Sequence, residues 1–316
     1  MAWILGIDEA GYGPNLGPFV MTAVGCRVDD ALAGSCLWQV LQRGVRKGGM
    51  DDGRLRVDDS KAIFSPGKGL AGLERGLFAL LVPPAAILDD LLRRLCPDDH
   101  AEVAREVWYT GTTALPASGD LTDMVQRGQQ FSLTCTACKV SDWLVFSGVV
   151  CPPRFNALID RTGSKAAVLS HGFIQLLERG LSATVGQEAV MVFVDKQGGR
   201  NAYAGQIQQA LSGGFVEPME ESTAKSTYRV HGLDRSLSLT FQPRADQEHF
   251  CVALASMVSK YLRELFMGEF NRFWQSRVPG LKATAGYPGD AGRFLQAIRP
   301  TAAALKIPEV VIWRQK

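Results

Sequence analysis

Two adjacent carboxylates, Asp8 and Glu9, directly follow the apolar run WILGI near the start of the chain. Like charges placed side by side repel each other, and the two glycines of the segment DEAGYGP add a cost in backbone entropy. A short apolar run that ends in turn residues is typical of a β-strand. The segment therefore predicts a strand that ends at a sheet edge, at a place where something offsets the two charges.

The remaining sequence favours one large domain of the α/β class, or one domain that carries an insertion. The chain has 316 residues, of which 46% are hydrophobic and 21% charged, and this composition is ordinary for a globular protein. Strand-like runs alternate with helical patterns, which favours a mixed sheet flanked by helices. The predicted strands include WILGID, PFVMTAVGCRV, AVMVFVD, FVEPME, RSLSLTFQP and IPEVVIW, and the predicted helices include ALAGSCLWQVLQRG, SKAAVLSHGFIQLLERGL and, as the longest, QEHFCVALASMVSKYLRELFMGEFNRFW.

Several features predict a cytoplasmic protein without membrane association, which we expect to be a monomer. The most apolar window, GLFALLVPPAAIL, is too short for a membrane span and contains Pro83 and Pro84. The first residues lack the charged start of a secretory signal. The cysteines are scattered and odd in number, which favours reduced thiols. The net charge of +2 neither requires nor excludes nucleic acid as a partner.

Acidic residues mark the ends of the predicted strands. Asp8 ends WILGI, Asp195 ends VMVFV, and Asp246 precedes the longest helix. A carboxylate at the end of an apolar strand is poorly solvated unless it is paired or bound to a cation. With Glu9, these acids would form a cluster suited to Mg²⁺, and two ions about 4 Å apart would hold the attacking and leaving oxygens of a phosphodiester. The alternative is that each aspartate is a cap or turn former, since spacing alone does not bring them together.

A polar stripe recurs along the longest predicted helix at spacings of three and four residues, which places its members on one face. Two of them, Ser256 and Lys260, are candidate phosphate contacts. The alternative is an ordinary solvated face. The stripe consists of Asp246, His249, Ala253, Ser256, Lys260 and Arg263.

Five segments, in the same order along the chain, resemble ribonuclease HII, the type 2 ribonuclease H family. The family's DEAGRGPLAGPVV corresponds here to DEAGYGPNLGPFV, DSKKL to DSKAI, a strand end VDG to VDK, ADAKYPVVSAASIIAKVIRD to ADQEHFCVALASMVSKYLRE without gaps, and KGYPTKEHLEAL to AGYPGDAGRFLQAI with two extra residues.

The resemblance implies a ribonuclease H-like fold, with a mixed five-stranded sheet flanked by helices. It implies an enzyme that uses Mg²⁺ or Mn²⁺ and water to hydrolyse the RNA strand of RNA–DNA hybrids, or ribonucleotides embedded in duplex DNA, leaving a 3′-hydroxyl and a 5′-phosphate. Such enzymes distinguish RNA from DNA by the 2′-hydroxyl. The implied catalytic and metal-binding acids are Asp8, Glu9, Asp195 and Asp246.

The resemblance also implies a set of substrate contacts. The two glycines would let the ribonucleotide approach the backbone, and Tyr287 would pack on the sugar at the RNA–DNA junction. The chain departs from the family at Tyr12, which stands where the family has arginine, so a single donor without charge replaces a guanidinium. Lys196 likewise replaces a glycine. The implied contacts are Gly11, Tyr12, Gly13, Ser60, Lys61, Ser256, Lys260 and Tyr287.

Residues 85–150 have no counterpart in the family, so we predict an insertion into a catalytic domain formed by residues 1–84 and 151–316. The insertion would alter substrate access or bind a protein partner. Cys135 and Cys138 form one CxxC that would need Cys96, His100 or Cys151 to hold zinc, and we expect ordinary thiols instead. His171 and His231 are expected to be structural or surface residues. Two other functions stay open, a binding module on a ribonuclease H-like core and a two-metal nuclease for DNA structures.

Overall fold

The protein is built on one large mixed sheet. The computed structural model describes residues 1–65, 67–184 and 186–315. Its strands are β1 (Ala2–Ala10), β2 (Phe19–Val28), β3 (Val45–Arg46), β4 (Leu55–Arg56), β5 (Val140–Val150), β6 (Ala189–Asp195), β7 (Phe215–Glu221), β8 (Ser226–His231) and β9 (Leu237–Gln242). The large sheet has seven strands in the order β5-β2-β1-β6-β9-β8-β7, and β3 and β4 pair separately.

Helices cover both faces of the sheet. They are α1 (Leu37–Val40), α2 (Ser60–Ile63), α3 (Ala71–Phe78), α4 (Leu88–Leu95), α5 (Pro97–Val103), α6 (Leu121–Ala137), α7 (Pro152–Thr162), α8 (Ala166–Ala183), α9 (Ala204–Gln209), α10 (Ala245–Glu248), α11 (Phe250–Gln275), α12 (Pro288–Ala304) and α13 (Glu309–Ile312), with a short 3₁₀ helix at Asp30–Leu32. No helix in the described part of the chain is long and apolar enough to cross a membrane.

The predicted fold class, a mixed α/β sheet flanked by helices, is confirmed, but the sheet has seven strands rather than five. β1 is antiparallel to β2 and parallel to β6, and β6 is parallel to β9. The hairpin of β7 and β8 adds two antiparallel strands beyond β9. Neither β5 nor β8 was among the strands predicted from the sequence, and the five strands implied by the resemblance are two fewer than the structure has.

The two faces of β1 serve different parts of the core. Trp3, Leu5 and Ile7 pack toward α7 and α8, whereas Ile4 packs toward α11. Gly6 lies on the α11 side, where an added Cβ would collide with the backbone of Cys251 and Val252. The close approach of α11 to β1 therefore depends on this glycine, and it places α11 directly beside the next residue on that face, Asp8.

Some sequence expectations were wrong in detail. The run ALAGSCLWQVLQRG forms only the 3₁₀ helix and α1, because the backbone of Cys36 is extended between them. The run IPEVVIW forms the short helix α13 instead of a strand. Periodicity does not distinguish a strand from a helix in such short apolar runs.

The predicted insertion, residues 85–150, includes one strand of the large sheet. β5 lies at the end of residues 85–150, yet it pairs along its length with β2 in the large sheet. This strand therefore belongs to the main sheet, and the division of the chain into a catalytic domain and an insertion stays a prediction. The helices α4, α5 and α6 remain as the regular structure within that segment.

Candidate active site

Three of the candidate acids meet at one edge of the sheet. Ile7 of β1 is paired with Val194 of the parallel strand β6, so the residues that follow, Asp8 and Asp195, lie on neighbouring strands at the same edge. The backbone N–H of Ala245 donates to Asp195 Oδ1 at 2.8 Å. This hydrogen bond brings α10, which carries Asp246, to the carboxyl ends of the strands, where α/β proteins build their sites.

The acids act as one electrostatic unit. Burial, followed by the charges of Glu9 and Asp195, raises the pKa of Asp8 well above its usual value. Burial and the charge of Asp195 raise the pKa of Glu9 to about 7. Burial raises the pKa of Asp195, and burial with the charges of Asp59 and Asp195 raises the pKa of Asp246 to about 6. Burial therefore makes each carboxylate harder to ionise, and the charges of neighbouring carboxylates add to this effect at Asp8, Glu9 and Asp246.

The donor set suits a hard divalent cation. Carboxylate oxygens are the ligands that Mg²⁺ prefers, and a cation would relieve the repulsion among them. The positive charge of Lys61 lowers the pKa of Glu9, Asp195 and Asp246, and in the described part of the chain it is the one side-chain cation that acts on all three. Within the described ranges no three His, Cys, Asp or Glu side chains are arranged to hold a metal ion as they stand. The chemistry of the residues fits such an ion, and its binding would need the carboxylates to turn toward it.

The burial of these carboxylates, together with their repulsion, predicts an unusual pH dependence of stability. Because the pKa of Glu9 rises from 4.5 to about 7 on folding, the folded state binds more protons than the unfolded state in that window. The free energy of unfolding should then fall as pH rises through it, by roughly 2–3 kcal/mol for this group. Urea denaturation without divalent cations at pH 5 and pH 8 would measure the difference.

Two comparisons make this test specific. Mg²⁺ or Mn²⁺ added at pH 8 should recover the lost stability, since a ligand of the folded state stabilises it. Glu9→Gln should flatten the pH dependence because its side chain does not titrate. A protein that is more stable at pH 8 than at pH 5 in the absence of metal would contradict the repulsion.

The polar stripe of the long helix is not a solvated face. Asp246 precedes the long helix, as predicted, but α10 ends at Glu248 and the extended backbone at His249 separates it from α11, so the stripe is interrupted between Asp246 and Ala253. The hydroxyl of Ser256 is buried and donates to that of Ser60 at 3.0 Å, and Ser256 lowers the pKa of Asp8, against the larger effect of burial. Ser256 therefore lies beside Asp8, and Ser60 lies beside Ser256.

The second candidate phosphate contact on α11 is already engaged. Lys260 Nζ is 2.5 Å from Glu264 Oε1 and lies over the ring of Phe64 at 4.6 Å. Lys196 also has local partners, since its ammonium donates to Asn201 Oδ1 at 2.7 Å and to the carbonyl of Thr223 at 3.3 Å. Lys61 is thus the candidate lysine whose charge acts on the acids.

A network of buried hydroxyls, which the sequence reasoning missed, supports the end of β1. Ser259 Oγ donates to the carbonyl of Asp8 at 3.0 Å and lies 2.8 Å from Thr22 Oγ1. Thr22 in turn lies 2.8 Å from Ser147 of β5. The spacing of Ser256 and Ser259 on one helix was visible in the sequence, but the partners on β2 and β5 required the fold.

The two glycines of the segment DEAGYGP differ in backbone conformation and in the space around them. Gly11 has φ +87°, and an added Cβ would lie 2.5 Å from Arg263 Nε and 2.8 Å from the carbonyl of Pro18. Gly13 has no such strain, and an added Cβ would meet only Tyr287, at 3.9 Å. Gly11 is therefore required by the fold, whereas Gly13 leaves open space beside a tyrosine.

The glycines form a matched pair for substitution. We expect Gly11→Ala to destabilise the protein by about 2 kcal/mol or more, because it adds a side chain at positive φ in a packed place. Gly13→Ala should change stability by less than about 0.5 kcal/mol. Thermal or urea denaturation of both variants measures this, and equal stability losses would contradict the assignment.

Two tyrosines flank this open space. Tyr287 precedes α12 and is 49% exposed. Tyr12 packs edge-on against Phe19, and the ammonium of Lys165 lies 4.8 Å from the centre of its ring. Burial and the charge of Glu9 raise the pKa of Tyr12, and the charge of Arg200 opposes this. Two cations therefore lie near Tyr12, and neither was a candidate from the sequence.

The other candidate sites of the sequence analysis remain apart from the acids. His171 accepts a hydrogen bond from Arg154 at 2.7 Å, and His231 is 2.6 Å from Glu217. The cysteines are free thiols. The CxxC is part of no metal-binding group in the described residues.

Comparisons with known proteins give matches only among solved structures. No protein-family model matches the chain, and no curated protein does. Ribonuclease HII of Archaeoglobus fulgidus, solved in complex with PCNA, is 14% identical, with 99% of this chain and 94% of that chain covered and a TM-score of 0.46. Ribonuclease H2 of Pyrococcus horikoshii OT3 is 14% identical (98% and 92% covered, TM-score 0.44). Bst-RNase HIII in complex with Mn²⁺ is 14% identical (99% and 66% covered, TM-score 0.40).

Proposed function

We propose that the protein is a metal-dependent endoribonuclease that hydrolyses the RNA strand of RNA–DNA hybrids, or ribonucleotides embedded in duplex DNA. The observation that carries the proposal is the approach of Asp8, Glu9, Asp195 and Asp246 at one sheet edge, where burial raises the pKa of each and neighbouring carboxylates raise the pKa of Asp8, Glu9 and Asp246 further. Such a set has an energetic reason to take up divalent cations.

In this proposal the four acids would hold Mg²⁺ or Mn²⁺, which supplies charge stabilisation and an activated water for attack on phosphorus. Ser256, which donates to Ser60, lies beside the Asp8 carboxylate and favours its charged form. Lys61 balances part of the negative charge and lies where a phosphate would approach the acids. The products would be a 3′-hydroxyl and a 5′-phosphate.

The substrate would lie across the loop of the two glycines. Gly13 leaves room for a sugar–phosphate backbone, and Tyr287 offers a half-exposed ring beside it. An aromatic ring can stack on a sugar or a base, and a 2′-hydroxyl can be read by backbone groups that approach closely. These features support recognition of a ribonucleotide within a duplex.

The test is a cleavage assay with three end-labelled duplexes of equal length, with Mg²⁺ or Mn²⁺. One carries a single ribonucleotide, one is an RNA–DNA hybrid, and one is all DNA. We expect cleavage of at least one of the first two, with ends that a ligase requiring a 5′-phosphate accepts. Cleavage of all three would favour a nuclease for DNA structures, and binding without cleavage would favour a binding module.

We expect the residue at position 12 to influence the preference between the single-ribonucleotide duplex and the RNA–DNA hybrid. Tyr12→Arg should shift the ratio of kcat/KM values toward the single-ribonucleotide duplex, by about tenfold, because a guanidinium can bind phosphate with two hydrogen bonds. Tyr12→Phe is the matched control, since it keeps the ring that packs on Phe19. An unchanged ratio in Tyr12→Arg would contradict a role for this position in specificity.

A further inference from the structure

Residues 11–16, here called the glycine loop, are held by two distant parts of the chain. The backbone N–H of Asn15 donates to the carbonyl of Gly286 at 2.8 Å, and the backbone N–H of Arg314 donates to the carbonyl of Asn15 at 2.8 Å. Leu16 and Trp313 form an antiparallel bridge. The glycine loop, the turn before α12 and the segment after α13 therefore form one hydrogen-bonded layer.

The segment after α13 is fixed from its other side by one buried amide. Asn156 of α7 donates through Nδ2 to the carbonyls of Val310, at 3.2 Å, and Trp313, at 2.8 Å. Its Oδ1 accepts from the backbone N–H of Gln315 at 2.8 Å. The side-chain hydrogen bonds of Asn156 in the described structure go to α13 and the segment after it, and none goes to the glycine loop, so this side chain can affect the loop only through those residues.

Two buried guanidiniums lie beneath this layer. Arg263 and Arg314 are 1% and 0% exposed. Arg263 donates through Nη2 to the carbonyl of Ala285 at 2.8 Å, and Arg314 donates through Nη2 to the carbonyl of Pro14. In the described structure, Nε and Nη1 of both side chains have no hydrogen-bond partner.

The charges of this pair are only partly balanced. Glu264 Oε1 lies 3.6 Å from Arg263 Nη1, but the same oxygen is 2.5 Å from Lys260. Arg314 faces the ring of Phe155 at 4.5 Å. Buried cations without full compensation are unfavourable, and a nearby anion would lower their free energy.

We propose that Arg314, with Arg263, is a positioning residue that holds the glycine loop and Tyr287 in the geometry that receives a phosphodiester. The proposal rests on the proposed function, because that function supplies the anion. The guanidiniums donate to backbone carbonyls of the glycine loop and of the turn before α12, the two parts of the chain that would receive the duplex. In a site of low dielectric, positive charge at this depth attracts a phosphate on the outer face.

The first experiment does not depend on catalysis. The full-length protein is labelled with 3-fluorotyrosine, and the ¹⁹F resonances of Tyr12 and Tyr287 are assigned with the phenylalanine variants. We expect Arg314→Met and Asn156→Ala to shift or broaden both resonances. The matched control is Arg299→Met, which removes an exposed arginine of α12 that pairs with Glu309. Unchanged resonances in both test variants would overturn the proposal.

The second experiment measures binding of the single-ribonucleotide duplex by fluorescence anisotropy, without divalent cations, in an Asp195→Asn background. Arg314→Met and Asn156→Ala should weaken binding by about tenfold, and Arg314→Lys should recover part of the loss. With metal and Asp195 intact, the same variants should raise KM more than they lower kcat. Altered resonances with unchanged affinity would overturn the proposal, because the loop would then not serve binding.

Asn156→Ala keeps the proposal testable if Arg314→Met does not fold. Failure of the proposed function has a different signature. In that case the unsubstituted protein neither binds nor cleaves any of the duplexes, and the ¹⁹F resonances alone decide whether Arg314 positions the loop.

Discussion

Asp195→Asn should lower the cleavage rate of the preferred duplex by about 10³-fold or more, which corresponds to the loss of several kcal/mol of transition-state stabilisation from the metal site. The substitution keeps the shape of the side chain. It also keeps an oxygen that can accept the hydrogen bond from Ala245, which places α10 at the sheet edge. The loss would therefore report the missing negative charge and not a displaced helix.

The stability of the same variant separates this explanation from unfolding. Asp195 contributes to the raised pKa of Asp8, Glu9 and Asp246, so its neutralisation should leave the metal-free protein at pH 8 as stable as the original or more stable. Asp234→Asn, at an exposed turn, is the matched control and should retain activity. Activity within tenfold of the original in both Asp8→Asn and Asp195→Asn would contradict a four-carboxylate active site.

Much of the site could be predicted because its acids sit in strong local patterns. The apolar runs before Asp8 and Asp195 form strands, and both strands were predicted from the sequence, although β1 continues through Asp8 and Glu9 to Ala10. The carboxyl ends of parallel strands share a sheet edge, so two of the four acids follow from pattern and topology. Asp59 was not predicted to join the acidic cluster, although it lies in the DSKAI segment, because only the fold brings it close to Asp246.

The features that could not be predicted depend on contacts between distant residues. The helical pattern of the sequence continues through His249 without interruption. The break before α11 is seen only in the structure, where the backbone of His249 is extended and its ring stacks on that of Phe193. β5 lies in a segment that reads as an insertion, and its pairing with β2 defines it. The contact of Arg314 with Pro14 joins residues 300 positions apart, which no local pattern records.

A second large effect concerns a buried carboxylate that does no chemistry in the proposed function. Glu74 of α3 is 0% exposed. It accepts hydrogen bonds from the backbone N–H groups of Ala117, Ser118, at 3.2 Å, and Gly119, at 2.8 Å, and from the hydroxyl of Tyr261 of α11, at 2.8 Å. One side chain thus joins α3, α11 and the loop that leads into α6.

We expect Glu74→Ala to lower the free energy of unfolding by about 3–5 kcal/mol, because it leaves several buried donors without an acceptor. Glu74→Gln should lose much of the same stability, since its amide group would place N–H donors against backbone N–H groups. Tyr261→Phe removes only one of the donors and should cost about 1 kcal/mol. Urea denaturation of the three variants measures these differences.

The relative stabilities of the three variants distinguish between different roles of the Glu74 side chain. If the carboxylate mainly fills space, Glu74→Gln should be nearly as stable as the original, since the two side chains have similar volumes. If it mainly pairs with Tyr261, Tyr261→Phe and Glu74→Ala should be equally destabilised. Only an acceptor shared by several backbone donors makes both glutamate substitutions much more damaging than the loss of the tyrosine hydroxyl. That outcome would assign the attachment of the 117–119 loop to the core chiefly to this one charge.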